Sequence, residues 1–72
     1  MEQKIIEIIA EVANLAPGDI SRGDTLYIDL DLDDNSLAEI GKQIEFRTGS
    51  ELVYSIFNCD TVDDILNLVM KA

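Results

Sequence analysis

Asp29-Leu30-Asp31-Leu32-Asp33-Asp34-Asn35-Ser36-Leu37-Ala38-Glu39-Ile40 is the stretch on which the reading of the whole chain turns. Four aspartates crowd into six residues, and a lone hydroxyl then stands at the entrance to a segment of helical periodicity. Ser36 precedes Glu39 by three, the Ser-x-x-Glu spacing of a capping box in which the two side chains satisfy backbone donors at a helix start. The spacing predicts a helix that opens at Ser36. Unpaired backbone N–H groups at such an end favour an anion, so a phosphate ester on this hydroxyl would meet backbone donors while the neighbouring carboxylates opposed it.

Downstream, Leu37, Ile40, Ile44 and, less regularly, Phe46 predict a helix from about Ser36 to Thr48 with an inward apolar face, stopped at Gly49. Gly41 weakens it by about 1 kcal/mol relative to alanine. Leu52, Val53, Ile56 and Phe57 suggest a short helix of a turn or two, with Tyr54 at the core edge. Thr61, with Asp64 three residues on, caps a last helix whose buried stripe is Val62, Ile65, Leu66, Val69 and Met70, and Lys71 suits its C-terminal end. Upstream, Ile5, Ile6, Ile9, Val12, Ala13 and Ala16 recur at helical spacing from Glu2 to Ala16, widened by Ile8 and Leu15 and ended by Pro17-Gly18. Between the first two helices, Asp19 to Asp34 is a loop longer than the roughly two to eight residues usual in helical bundles. Ile20, Leu26, Tyr27, Ile28, Leu30 and Leu32 are expected to anchor it to the bundle. The alternation from Leu26 to Asp33 imitates a strand, but the chain offers it no partner strand. The expected fold is therefore all-α, a small four-helix bundle of three main helices and one short one, in a single domain spanning residues 1–72.

Seventy-two residues leave no room for a deep catalytic cleft and give a thin stability margin. A hydrophobic fraction of 47% suffices for a core, while fifteen acidic residues against five basic ones leave a net charge of -10. That balance repels nucleic acid and anionic membranes and steers the chain toward proteins with basic patches. It also makes a monomer the expected state. No apolar run reaches the ~18 residues of a membrane span and the N-terminus is not that of a signal peptide, so a cytoplasmic location is expected. Cys59 is the only cysteine and is assigned to packing; with no histidine, the commonest general base and nitrogen metal ligand are absent.

Asp29, Asp31 and Asp33 occupy the first, third and fifth places of a calcium loop, but the sixth is Asp34 where glycine is needed and the twelfth is Ile40 where a glutamate should close the site. No metal site is expected. A hydrolase is excluded on similar grounds, since Ser36 has neither a histidine to activate it nor a glycine-rich elbow around it.

Taken in order, the pieces resemble the acyl carrier and peptidyl carrier protein family. These are Pro17-Gly18-Asp19-Ile20 after the first helix, Asp29-Leu30 and Leu32-Asp33 in the long loop, Asn35-Ser36-Leu37, Ile44-Glu45 with Gly49, and Ile56-Phe57 with Thr61-Val62. The resemblance covers nearly the whole chain and implies an acyl-carrier-like bundle with no catalysis of its own. It implies that Ser36 is esterified with 4'-phosphopantetheine by a phosphopantetheinyl transferase, the arm then holding acyl or aminoacyl thioesters in fatty acid, polyketide or nonribosomal peptide assembly. Asp31, Asp33, Asp34, Leu37, Glu39 and Ile40 would form the face read by loading and condensing enzymes with basic patches. A second register stays open. Carried without a gap from Asp29-Leu30 to Ile44-Glu45 and Gly49, the family's serine position falls on Asp34. Ser36 is then only a helix N-cap, and the domain is an unmodified interaction module.

Overall fold

The computed structural model of the protein describes residues 2–49 and 55–70. Three α-helices, α1 (Glu2–Ala13), α2 (Asp34–Thr48) and α3 (Val62–Met70), are joined through 3-10 turns at Pro17–Asp19 and Ser55–Asn58, with no strand among the described residues. The all-helical expectation holds, and the short helix is the 3-10 turn at Ser55–Asn58. Leu52, Val53, Tyr54 and Lys71 lie outside the described residues.

Ile5, Ile8 and Ile9 of α1, Leu37, Ile40 and Ile44 of α2 and Val62, Ile65 and Leu66 of α3 meet in one core. Their spacings of three and four residues place them on single helix faces, and the helices bury those faces against one another. No polar or charged side chain is buried among the described residues, so these residues carry their charge at the surface. Gly41 lies on the buried face of α2. Apolar residues off these stripes stay outside: Phe46 is 91% exposed and Met70 is 53% exposed, although periodicity suggested that both face inward.

α1 ends at Ala13, three residues short of the expected Ala16. Asn14 takes a left-handed conformation (φ 60°). Its N–H reaches Glu11 O at 3.2 Å while that of Leu15 reaches Ala10 O at 2.9 Å, the paired bonds of a Schellman cap with asparagine in the place usually held by glycine. Leu15 and Ala16 are left exposed, and Pro17 opens the following 3-10 turn. α2 stops at the expected glycine. Gly49, at φ 77°, caps the helix by donating its N–H to Glu45 O.

The long loop is bound to the start of α3. Leu26 N–H donates to Asp60 O, and the orphan donors of Val62 and Asp63 go to Asp24 O and Arg22 O. Thr61 and Asp64 form the expected reciprocal cap, with Asp64 N–H on Thr61 Oγ1 and Thr61 N–H on Asp64 Oδ2, both at 3.1 Å. These backbone donors hold the Asp64 carboxyl below its usual range, Asp60 N–H contributing most. The Arg22 guanidinium crosses the same junction, reaching Asp63 of α3 at 2.6 Å and Glu2 of α1 at 2.7 Å. The alternation from Leu26 to Asp33 forms no strand, and one isolated antiparallel bridge, Thr25 with Thr61, lies just before it.

Candidate functional site: the acidic loop and the start of α2

Asp33 decides where α2 begins. Its backbone is extended (φ -120°, ψ -177°) and its Oδ1 accepts the Ser36 N–H at 2.8 Å, satisfying one of the helix's orphan donors. Helical geometry therefore starts at Asp34, and Ser36 is the third residue of the helix rather than its cap. The reading of Ser36 and Glu39 as a capping box is thus corrected. Glu39 accepts instead from Gln43 Nε2 at 3.3 Å, one turn on. The physical reason is that aspartate caps as well as serine, and Asp33 stands to Ser36 as Ser36 stands to Glu39. Capping at Asp33 adds helical residues without altering which face is buried. Contact with the Ser36 N–H, and then with the Ser36 hydroxyl, holds the Asp33 carboxyl below its ordinary value.

The tip of the loop is tied to this first turn. Tyr27 donates its hydroxyl to Asp34 Oδ1 at 2.8 Å. That bond, with burial and the carboxylates of Asp34, Asp60 and Asp33, pushes the Tyr27 phenol above its ordinary value. Behind Tyr27 the chain makes a closed turn. Thr25 N–H donates to Asp29 Oδ2 at 2.9 Å, Asp29 N–H donates back to Thr25 Oγ1 at 3.1 Å, and Leu30 N–H reaches Thr25 O. Leu26, Leu30 and Leu32 point into the core and Ile20 joins them, as expected of loop anchors. Tyr27 and Ile28 do not. They stand at the outer tip, 41% and 84% exposed.

The residues expected to form a partner face divide between surface and core. Asp31, Asp33, Asp34 and Glu39 are exposed, and Ser36 is half-buried in the first turn. Leu37 and Ile40 have no exposed surface at all, because they sit on the stripe of α2 that packs against α1. They hold the helix in place and present no surface in this fold. Ile28 and Tyr27 supply exposed apolar surface at this end. The spacing of four between Thr25 and Asp29, and between Leu26 and Leu30, is the sequence signal for a helical turn that the apparent alternation hid.

The Ser36 N–H is already engaged by Asp33, so a phosphate on Ser36 would not find it free. A groove of about 450 Å³ runs beside Glu11, Glu39, Lys42, Gln43, Phe46 and Arg47, and one of about 330 Å³ beside Lys4, Ile5, Glu7, Ile8, Arg47 and Thr48. Ser36 lines neither. No group of three or more histidine, cysteine, aspartate or glutamate side chains among the described residues is placed to hold a metal ion. Asp29 and Asp33 of the calcium-like spacing bond instead to the local backbone. Cys59 is buried, and loss of solvent pushes its thiol up to about 11. No helix among the described residues is long and apolar enough to cross a membrane.

A family model described as a phosphopantetheine attachment site matches residues 3–69 of the chain. No curated protein gives a significant match. The family match bears out the resemblance to acyl and peptidyl carriers, and this family carries a covalently attached 4'-phosphopantetheine. Ser36 fits such a group in two respects: it is a hydroxyl on the first turn of α2, and it is only half-buried. Attachment there would take the hydroxyl away from the Asp33 carboxylate, leaving the backbone bond of the cap in place.

Proposed function

The chain belongs to the phosphopantetheine attachment-site family, and on that premise we propose that it is a carrier domain whose Ser36 hydroxyl takes 4'-phosphopantetheine from a phosphopantetheinyl transferase. When bound, the group supplies a thiol that holds an acyl or aminoacyl chain as a thioester. The domain, residues 1–72, presents that cargo to the loading and condensing enzymes of fatty acid, polyketide or nonribosomal peptide assembly and performs no catalysis itself. It works as a cytoplasmic monomer, its charge of -10 disfavouring self-association. The observation that carries this reading is the position of Ser36, half-buried on the first turn of α2 at the end of an acidic loop. Asp31, Asp33, Asp34 and Glu39 give the face its charge and draw basic partners to it.

One observation favours a second reading. α2 starts at Asp34, so no two-residue shortening accompanies Ser36, and the ungapped register that sets Asp34 in the attachment position accords with the helix as it stands. In that reading a carboxylate bound by Tyr27 replaces the hydroxyl, and the domain binds its partners unmodified. Paired variants separate the two. With a transferase and coenzyme A, Ser36→Ala abolishes modification if Ser36 carries the arm. In the second reading the wild-type chain is inert and Asp34→Ser gains the ability to be modified.

A further inference from the structure

Leu37 and Ile40 are unavailable, yet the end of the domain around Ser36 is not purely polar. Ile28 is an isoleucine left 84% exposed in a turn that is bonded at both ends, so its exposure is built in by the fold. Thr25 and Asp29 close the turn, Leu26 and Leu30 root it in the core, and the Tyr27 hydroxyl fixes its tip to Asp34, two residues from Ser36. Carboxylates flank Tyr27 and Ile28: Asp29 and Asp31 follow Ile28 in the exposed loop, while Asp33, Asp34 and Asp60 lie close enough to Tyr27 to raise its phenol. No lysine or arginine falls between Gly23 and Gly41. A rigid apolar point inside an acidic frame matches a protein surface with an apolar pocket ringed by lysine and arginine, the charges steering the encounter and the buried anchor slowing release.

We propose that Ile28, braced by Tyr27 against Asp34, is the apolar anchor by which the domain docks on its phosphopantetheinyl transferase. The anchor enters an apolar pocket on that enzyme while Asp29, Asp31 and Asp33 meet basic side chains around the pocket. This rests on the carrier reading for the identity of the enzyme. The anchor belongs to the loop and is independent of which residue carries the arm.

The test uses the full chain and a broad-specificity phosphopantetheinyl transferase, with binding measured by calorimetry and modification followed by mass. Ile28→Ser is expected to raise the Kd at least about tenfold, the loss typical of removing an interface anchor. Ile28→Leu restores binding. Phe46→Ser, which alters a side chain equally exposed but beside the Glu11–Lys42 groove, leaves it unchanged. All three variants retain the wild-type melting temperature, because neither residue contributes to the core. Wild-type affinity in Ile28→Ser, or no binding by the wild-type chain, overturns the proposal. A wild-type chain that binds without being modified defeats the carrier reading alone, and the Ile28→Ser affinity still decides the anchor.

Discussion

The Tyr27 hydroxyl and the Asp34 carboxylate are joined by a hydrogen bond of 2.8 Å that fastens the loop tip to the first residue of α2. Tyr27 is thereby a strut between the segment that approaches α2 and the helix that bears Ser36. Its phenol is pushed above the ordinary value of 10.0, so the neutral form is the one the fold holds. Tyr27→Phe is expected to melt below the wild-type chain at neutral pH. The difference should be fully present below pH 10 and vanish as pH rises through the folded value of the phenol. Thermal melts of both chains across that range check it, and a difference that persists unchanged into strong alkali contradicts the strut.

On the acid side the same reasoning applies to Asp33 with the opposite sign. Its carboxyl is held below the ordinary 3.8 by the Ser36 N–H and hydroxyl. The charged cap therefore stabilises the fold above pH 3.8, and the contribution is lost as pH falls through the folded value. Asp33→Asn keeps a capping oxygen without the charge, so its stability relative to the wild type should be lower at neutral pH and equal in strong acid. Asp33→Ala removes the cap and should lower the melting temperature further. Circular dichroism melts against pH give both results.

Leu26 is the deepest root of the loop, with no exposed surface and its N–H on Asp60 O at 2.8 Å. Leu26→Ala is expected to cost about 2–5 kcal/mol, a large share of what a domain this small has to spare. Urea unfolding should show the midpoint collapsing. A midpoint close to wild type would mean that the loop is not rooted where the fold places it.

Burial also sets the behaviour of Cys59. With its thiol raised to about 11, it is almost wholly protonated at pH 7.5 and hidden from reagent. An aromatic disulfide reagent should react with the native chain slowly and with the urea-unfolded chain at the rate of a free thiol. Equal rates in the two states would contradict its place in the core.

The helix faces were legible because burial follows period: Ile5, Ile8 and Ile9 recur at a helical interval, as do Leu37, Ile40 and Ile44, and all are buried. Helix ends were less so, since they are settled by competition between capping residues close together in sequence. Asn14 stops α1 before Pro17 has any say, and Asp33 caps α2 before Ser36 can. The loop was hardest to read. Leu26, Leu30 and Leu32 look like anchors and are, yet Ile28 stands exposed in the turn closed by the Thr25–Asp29 box, in a loop whose bonds to Asp60 and α3 no local pattern reveals. Phe46 and Met70 show the converse, large apolar residues that lie off the buried stripe and are exposed. Of the residues the sequence singles out, Asp31, Asp33, Asp34 and Glu39 are exposed and Ser36 is half-buried. Tyr27 and Ile28 were named there, but on the wrong side of the loop.

The central claim, that Ser36 carries the arm, is tested most directly by intact mass after incubation with a broad-specificity phosphopantetheinyl transferase, coenzyme A and magnesium, followed by peptide mapping. The account predicts a gain of one phosphopantetheine, mapped to Ser36. An unchanged mass, with the chain folded and a control carrier modified alongside, would contradict it and leave Asp34 in the attachment position of an unmodified domain.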